Sequence, residues 1–316
     1  MSPRPPALVI VNAAASGGRG ERRFEKVSPE VEARLDARYV PLDPAGCWRD
    51  VLKEALGEGI RVFIAAGGDG TVGAVADALV AHRGSLPLGA IVLGAIGLGS
   101  SNDFHKPCGR GARASGVPLR IDVASAAPRD LGRVCYTDAD GIEHARIFVV
   151  SASLGATARA NALFNARGVF MRLASRWFLD AAIVWTALRC LVTHRGMRAE
   201  LRLGDGPLEP VRLDNLSVLK TPHLSGGLTY DTPVAPDSGR FAVNLCADMS
   251  RFRLGRTLAG LARGRFQGRP GTRASSEATV AVVLANIQPL ELDGEIVWAR
   301  AARFELLPER ILTCTA

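Results

Sequence analysis

The chain has 316 residues, enough for two domains with ample cores. A hydrophobic content of 47% and a charged content of 22% are those of a soluble globular protein. The net charge of +8 comes mostly from arginine and suits anionic lipid surfaces, nucleotides or nucleic acid, although arginine spread through the whole chain equally reflects genomic base composition.

Aromatic residues make up only 6%, with no interleaving of basic and aromatic positions, so a nucleic-acid partner is not expected. The six cysteines, at 47, 108, 135, 190, 246 and 314, form no CxxC pair. They read as reduced thiols of a cytosolic protein, and the five histidines form no ligand-spaced cluster. Met1 to Pro6 lacks the long apolar run of a signal peptide.

In chain order, Ala7 to Val11 reads as a buried strand followed by the small-residue loop Asn12 to Gly20, with helical sequence from about Glu21. Tyr39 to Leu42 reads as a strand and Cys47 to Gly57 as a helix. Arg61 to Ala66 is a short apolar strand, and Val72 to Val80 repeats at helical spacing. Between them lies Gly67-Gly68-Asp69-Gly70-Thr71. Glycines at a strand-to-helix turn let phosphate oxygens approach main-chain N–H groups at the positive end of a helix. An aspartate there would repel phosphates, so it is suited to holding Mg²⁺ or accepting a proton. Gly68-x-Gly70-x-x-Gly73 also fits a dinucleotide turn, but no acidic residue follows at a strand end about 20 positions on. A purely structural turn leaves the aspartate without a packing reason.

Leu88 to Val92 reads as a further strand, leading to Gly99-Ser100-Ser101-Asn102-Asp103-Phe104. Three strand-to-loop junctions thus carry glycine with Ser, Thr, Asn or Asp. After Asp122, alternating segments at Arg146–Val150, Ala199–Leu203, Val211–Val218, Phe241–Leu245, Val280–Ala285 and Ala302–Leu306 predict a second, β-rich domain. Phe170, Leu173, Trp177, Ala181, Val184, Leu188 and Leu191 fall on one helical face, either a core helix or one that docks on a membrane surface. Asp180 and Arg189 argue against its spanning a bilayer.

The loop Asn12-x-x-x-Ser16-Gly17, the Gly67 to Thr71 turn and the Gly99 to Phe104 loop together resemble the nucleotide-site motifs of the diacylglycerol kinase and sphingosine kinase catalytic region, including its bacterial lipid kinases. Ser153-Leu154-Gly155-Ala156, Gly226-Gly227 and Asp293-Gly294-Glu295 are similar to later pieces of that family, in the same order. The resemblance implies an α/β N-terminal domain of the NAD kinase/diacylglycerol kinase type, residues 1–122, and a C-terminal β-sandwich, residues 123–316, whose last ten or so residues pack back on the first domain. It implies ATP-dependent transfer of a phosphoryl group to a lipid alcohol at the cytoplasmic membrane face. Asn12, Ser16, Gly17, Gly67, Gly68, Asp69, Gly70, Thr71, Ser100 and Asn102 would bind nucleotide, and Asp69 would hold, directly or through water, the Mg²⁺ that accompanies ATP.

Glu295 would accept the proton of the lipid hydroxyl, in a closed cleft that raises its pKa. Read alone, Asp293-Gly294 is also a common hairpin pair. A structural Mg²⁺ site of the family would fall near Asp237, with carbonyl ligands at Ala235 and Arg240 and with Ser238 where the family has aspartate. Other departures are Ala13 for proline, Gly97 for proline, Ser101 for glycine and Gly73-Ala74 for Asn-Glu. A non-catalytic nucleotide or lipid binder, or a kinase of a soluble hydroxyl compound, are the alternatives. Lipid identity and oligomeric state are not specified.

Overall fold

The computed structural model describes residues 4–107, 112–166, 189 and 191–316. It comprises two compact units, Met1–Leu131 with Leu307–Ala316, and Gly132–Leu306.

The first unit begins β1 (Pro6–Val11), α1 (Ala15–Gly18), α2 (Gly20–Glu25), α3 (Ser28–Arg34), β2 (Asp36–Pro41), α4 (Trp48–Gly57), β3 (Val62–Gly67), α5 (Asp69–His82) and β4 (Val92–Gly97). It continues with β5 (Arg113–Ala114), β6 (Val117–Arg120), β7 (Ala127–Arg129) and, after the second unit, a closing strand Ile311–Thr313. β2, β1, β3 and β4 lie side by side and parallel. Every residue of β3 and β4 is buried. That explains their unbroken apolar sequences, since a parallel strand is covered on both faces. α5 buries Val72, Val75, Ala76 and Leu79 at helical spacing.

Two expectations change here. The strand anticipated at Leu88–Val92 is a 3₁₀ turn, Leu88–Ala90, followed by β4. Pro87 fixes the preceding backbone at φ −61°, and the Leu88 amide donates to Glu309 at 3.0 Å. Arg83 holds the same carboxylate at 2.7 and 2.9 Å. The boundary between units falls after Leu131 rather than Asp122, because β7 pairs antiparallel with Ile311–Thr313, which also runs parallel to β4.

The second unit contains β8 (Gly132–Thr137), β9 (Glu143–Phe148), β10 (Ser151–Gly155), α6 (Ala156–Ala166), β11 (Met197–Leu203), β12 (Glu209–Leu219), β13 (His223–Leu224) and β14 (Leu228–Thr229). β15 (Phe241–Ala247), α7 (Arg251–Leu261), β16 (Thr272–Glu277), β17 (Thr279–Leu292) and β18 (Glu295–Leu306) complete it. Nine strands form one sheet network with antiparallel pairing throughout. Its main core gathers Leu154, Leu216, Val243, Leu245 and Leu290 around Phe148, which stacks on Phe241 and meets Phe304 edge-on. A smaller cluster joins Leu219, Leu224, Tyr230, Leu254, Leu261 and Phe266, with Leu191 packed against it. The remainder of the anticipated apolar helical stripe, Phe170 to Leu188, lies outside the described residues.

Candidate active site

In the first unit the three loops meet at the carboxyl ends of β1, β3 and β4, where an open α/β sheet binds its ligands. Asn12 leaves β1 with its amide on Ala66 O at 2.8 Å, and its side-chain Nδ2 donates to Thr71 Oγ1 at 2.9 Å. Ser16 and Gly17 both take left-handed backbone angles, φ 53° and 71°, which turn the loop back. The Ser16 hydroxyl then donates to Leu98 O at 2.7 Å. Gly17 and Ser100 are exposed.

Gly67 and Gly99 are required by close approach. A Cβ on Gly67 would collide with the buried Thr71 side chain, and one on Gly99 would strike the backbone of Gly68. No side chain caps the first turn of α5, so its leading N–H groups at Asp69 and Gly70 keep the positive end of the helix available to an anion.

The third loop tolerates its substitutions for a geometric reason. Ser101 is not among the residues with positive φ; the left-handed position is Asn102, at φ 50°. Asparagine accepts that conformation more readily than most residues. Asn102 Nδ2 donates to Gly97 O at 3.2 Å and to Gly99 O at 2.9 Å, which fixes the amide's orientation. Its Oδ1 is buried and has no hydrogen-bond partner among the described residues.

The carboxylate of Asp69 turns inward to this loop, accepting Asp103 N at 3.0 Å and Phe104 N at 2.8 Å. Burial, reinforced by the neighbouring Asp103 carboxylate, raises its pKa to about 6. Asp103 in turn holds Lys106 at 2.6 Å. These neighbours do not make a metal site: amide N–H groups and an ammonium repel a cation. Among the described residues no group of three or more His, Cys, Asp or Glu could hold one. Direct Mg²⁺ binding by Asp69 therefore does not fit, and its carboxylate organises the third loop. His105 beside it is buried and kept neutral, its pKa pushed down to about 3 by burial and by Arg120 and Arg113.

Arg23 was not legible as a site residue. From α2 its guanidinium donates to Gly97 O (3.1 Å), Leu98 O (2.7 Å), Gly99 O (3.0 Å) and Ser16 Oγ (3.0 Å), clamping the first loop to the third. Burial lowers its pKa. In sequence it is one of two adjacent arginines, and nothing distinguishes it from Arg22.

In the second unit, Asp293 and Gly294 close the β17–β18 hairpin with φ 49° and 94°, the two-residue turn that Asp-Gly favours. Asp293 is also a buried anchor: its carboxylate accepts the amides of Val149 (2.8 Å), Val150 (2.8 Å) and Ser151 (2.9 Å). Glu295 faces outward, its side chain 50% exposed and paired with Arg146 at 3.0 Å. Asp237 is exposed, and the carbonyls of Ala235 and Arg240 are engaged by Lys220 instead.

An α/β unit with glycine-rich loops at its strand ends, and a second, mostly β unit, define the architecture. Residues 6–134 match the family model described as the diacylglycerol kinase catalytic domain. A protein of Pseudomonas aeruginosa named "Probable lipid kinase YegS-like" is 33% identical over 133 residues, 40% of this chain and 39% of that protein. One of the same name from Serratia proteamaculans is 38% identical over 142 residues, 42% of each. The match spans about two fifths of the length of these curated relatives. A solved diacylglycerol kinase from Bacillus anthracis str. Sterne superposes with a TM-score of 0.66 and 16% identity, covering 99% of this chain and 98% of that one. A second chain from that strain gives 0.70 at 17% identity, covering 99% and 98%. The chain therefore has the diacylglycerol kinase-type fold.

Proposed function

We propose that the protein transfers the γ-phosphoryl group of ATP to the hydroxyl of a lipid alcohol. The observation that carries this is the convergence of Asn12, Ser16, the Gly67–Thr71 turn and Asn102 at one end of one sheet. In this reading the β- and γ-phosphates lie on the leading amides of α5, with Gly68 and Gly99 admitting them at backbone distance. Asn102 Oδ1, without a partner among the described residues, is an acceptor and would repel phosphate. It suits a donor of the nucleoside, a ribose hydroxyl or the adenine amine.

Mg²⁺ carried on the ATP phosphates would neutralise part of their charge. Asp69 and Arg23 act by holding the third loop in its binding shape. Glu295 takes the proton from the substrate hydroxyl as its oxygen attacks the γ-phosphorus, and ADP leaves. Arg146, 3.0 Å away, orients the Glu295 carboxylate. No helix among the described residues is long and apolar enough to cross a membrane. The basic charge then supports peripheral contact with anionic lipid surfaces on the cytoplasmic side.

The test is incubation of purified protein with γ-labelled ATP, Mg²⁺ and total lipid extract in detergent micelles. Label should appear in the lipid phase with wild type and not with Glu295→Gln. Label in the aqueous phase without lipid would assign a soluble hydroxyl substrate. ATP binding with no label transferred would leave a nucleotide-binding protein and overturn the kinase reading.

A further inference from the structure

Lys220 follows β12 in the second unit and is 1% exposed. A buried ammonium is costly unless every donor is satisfied. Here the surroundings are oxygens: Nζ reaches Arg240 O at 2.9 Å, Ala235 O at 3.1 Å and Ser238 Oγ at 3.4 Å. The Ser238 hydroxyl bonds the same two carbonyls, at 2.9 and 3.1 Å. Two carbonyls and a hydroxyl converging on one centre are the hard-oxygen donor set of a Mg²⁺ or Ca²⁺ site. They are also the carbonyls that the family resemblance assigns to a metal.

The centre, however, is filled by the chain's own charge. A divalent ion in the same cradle would sit against the ammonium, in surroundings where like charges repel strongly. Nor does the turn supply the carboxylate that would offset dehydration of such an ion. Ser238 stands at that position, and Asp237 is exposed.

We propose that Lys220 is the resident cation of the Ala235–Arg240 turn, so that this unit binds no divalent metal there. The replacement is a paired one: a monovalent cation on a protein stem needs only neutral oxygens, which matches serine in place of aspartate. Its purpose is structural continuity toward the Asp293–Glu295 turn. The Lys220 amide donates to Val150 O at 2.9 Å, and the Val150 amide donates to Asp293 at 2.8 Å. The inference stands whether or not the chain transfers phosphate.

The test is thermal unfolding without nucleotide, in excess EDTA and in millimolar Mg²⁺ or Ca²⁺. Wild type should melt at the same temperature in all three. Lys220→Met should melt several degrees lower, and Lys220→Met/Ser238→Asp should recover with Mg²⁺ or Ca²⁺ but not in EDTA. Ser238→Asp alone, which keeps the lysine, should show no metal dependence. A wild-type midpoint that falls in EDTA and returns with Mg²⁺ would overturn the proposal, as would metal dependence in Ser238→Asp alone. These two arms decide the matter even if Lys220→Met does not fold.

Discussion

The Asp69 carboxylate accepts the Phe104 amide at 2.8 Å, tying the turn before α5 to the loop after β4. Phe104 is itself fully buried, with the Arg129 guanidinium 4.8 Å from its ring centre. With the Asp103 amide on the same carboxylate at 3.0 Å, it makes the second and third loops one object.

Asp69→Ala should therefore lose nucleotide binding without any loss of a direct phosphate contact. At a hundred times its dissociation constant, Mg²⁺-ATP should stabilise the wild type by about 2.7 kcal/mol, read as a raised melting temperature. Asp69→Ala should show little of that rise. Asp69→Asn keeps an acceptor for one amide and should restore part of it. An undiminished rise in Asp69→Ala would show that the loop holds its shape unaided.

The pH dependence of the first unit contains two opposed contributions. Asp69 has its folded pKa raised to about 6, so the folded state holds its proton more tightly than the unfolded chain. Its contribution to stability grows as pH falls through 6 and is complete below the ordinary carboxylate value. His105 is depressed to about 3, so its contribution is present above the unfolded histidine value and is lost as pH falls from about 6.5. Between about pH 4 and 6 the two slopes cancel. Asp69→Asn should expose the histidine's slope: its stability relative to wild type should fall by on the order of 2 to 3 kcal/mol between pH 7 and pH 4. Denaturant unfolding at a series of pH values measures it, and a pH-independent difference would refute the assignment.

Asn12 and Thr71 should be coupled. Their side-chain hydrogen bond is partly buried at 2.9 Å, so a double-mutant cycle of Asn12→Ala and Thr71→Val should return about 1 kcal/mol in unfolding free energy. Both single variants should also bind ATP more weakly. A coupling near zero would mean that the first two loops are held together by the backbone alone.

The two acids of the late motif should separate cleanly. Asp293→Ala leaves three buried amides without an acceptor and should destabilise the second unit by at least about 3 kcal/mol. Glu295→Gln removes only an exposed ion pair and should cost less than about 1 kcal/mol. Phosphoryl transfer should nevertheless fall by roughly 10² to 10⁴-fold in Glu295→Gln. Full activity in that variant would remove Glu295 from the proposed chemistry.

The chain's own residues determined much of this. β1 and β3 are legible because buried parallel strands need unbroken apolar sequence, and the loops are legible because Gly, Asn, Ser and Asp favour tight turns. The motif order alone carried the family resemblance. What the tertiary structure decided was which partner each polar group finds. Asp69 looks like a cation ligand in sequence, but folding surrounds it with amide hydrogens and makes it an anchor for another loop. Arg23 and Lys220 look like surface charges among many, but folding brings carbonyl oxygens from distant segments around them. Hydrogen-bond partners separated by 74 or 76 residues, as Arg23 and the third loop are, leave no local period or motif to read. Only the packed chain determines where a buried charge is satisfied.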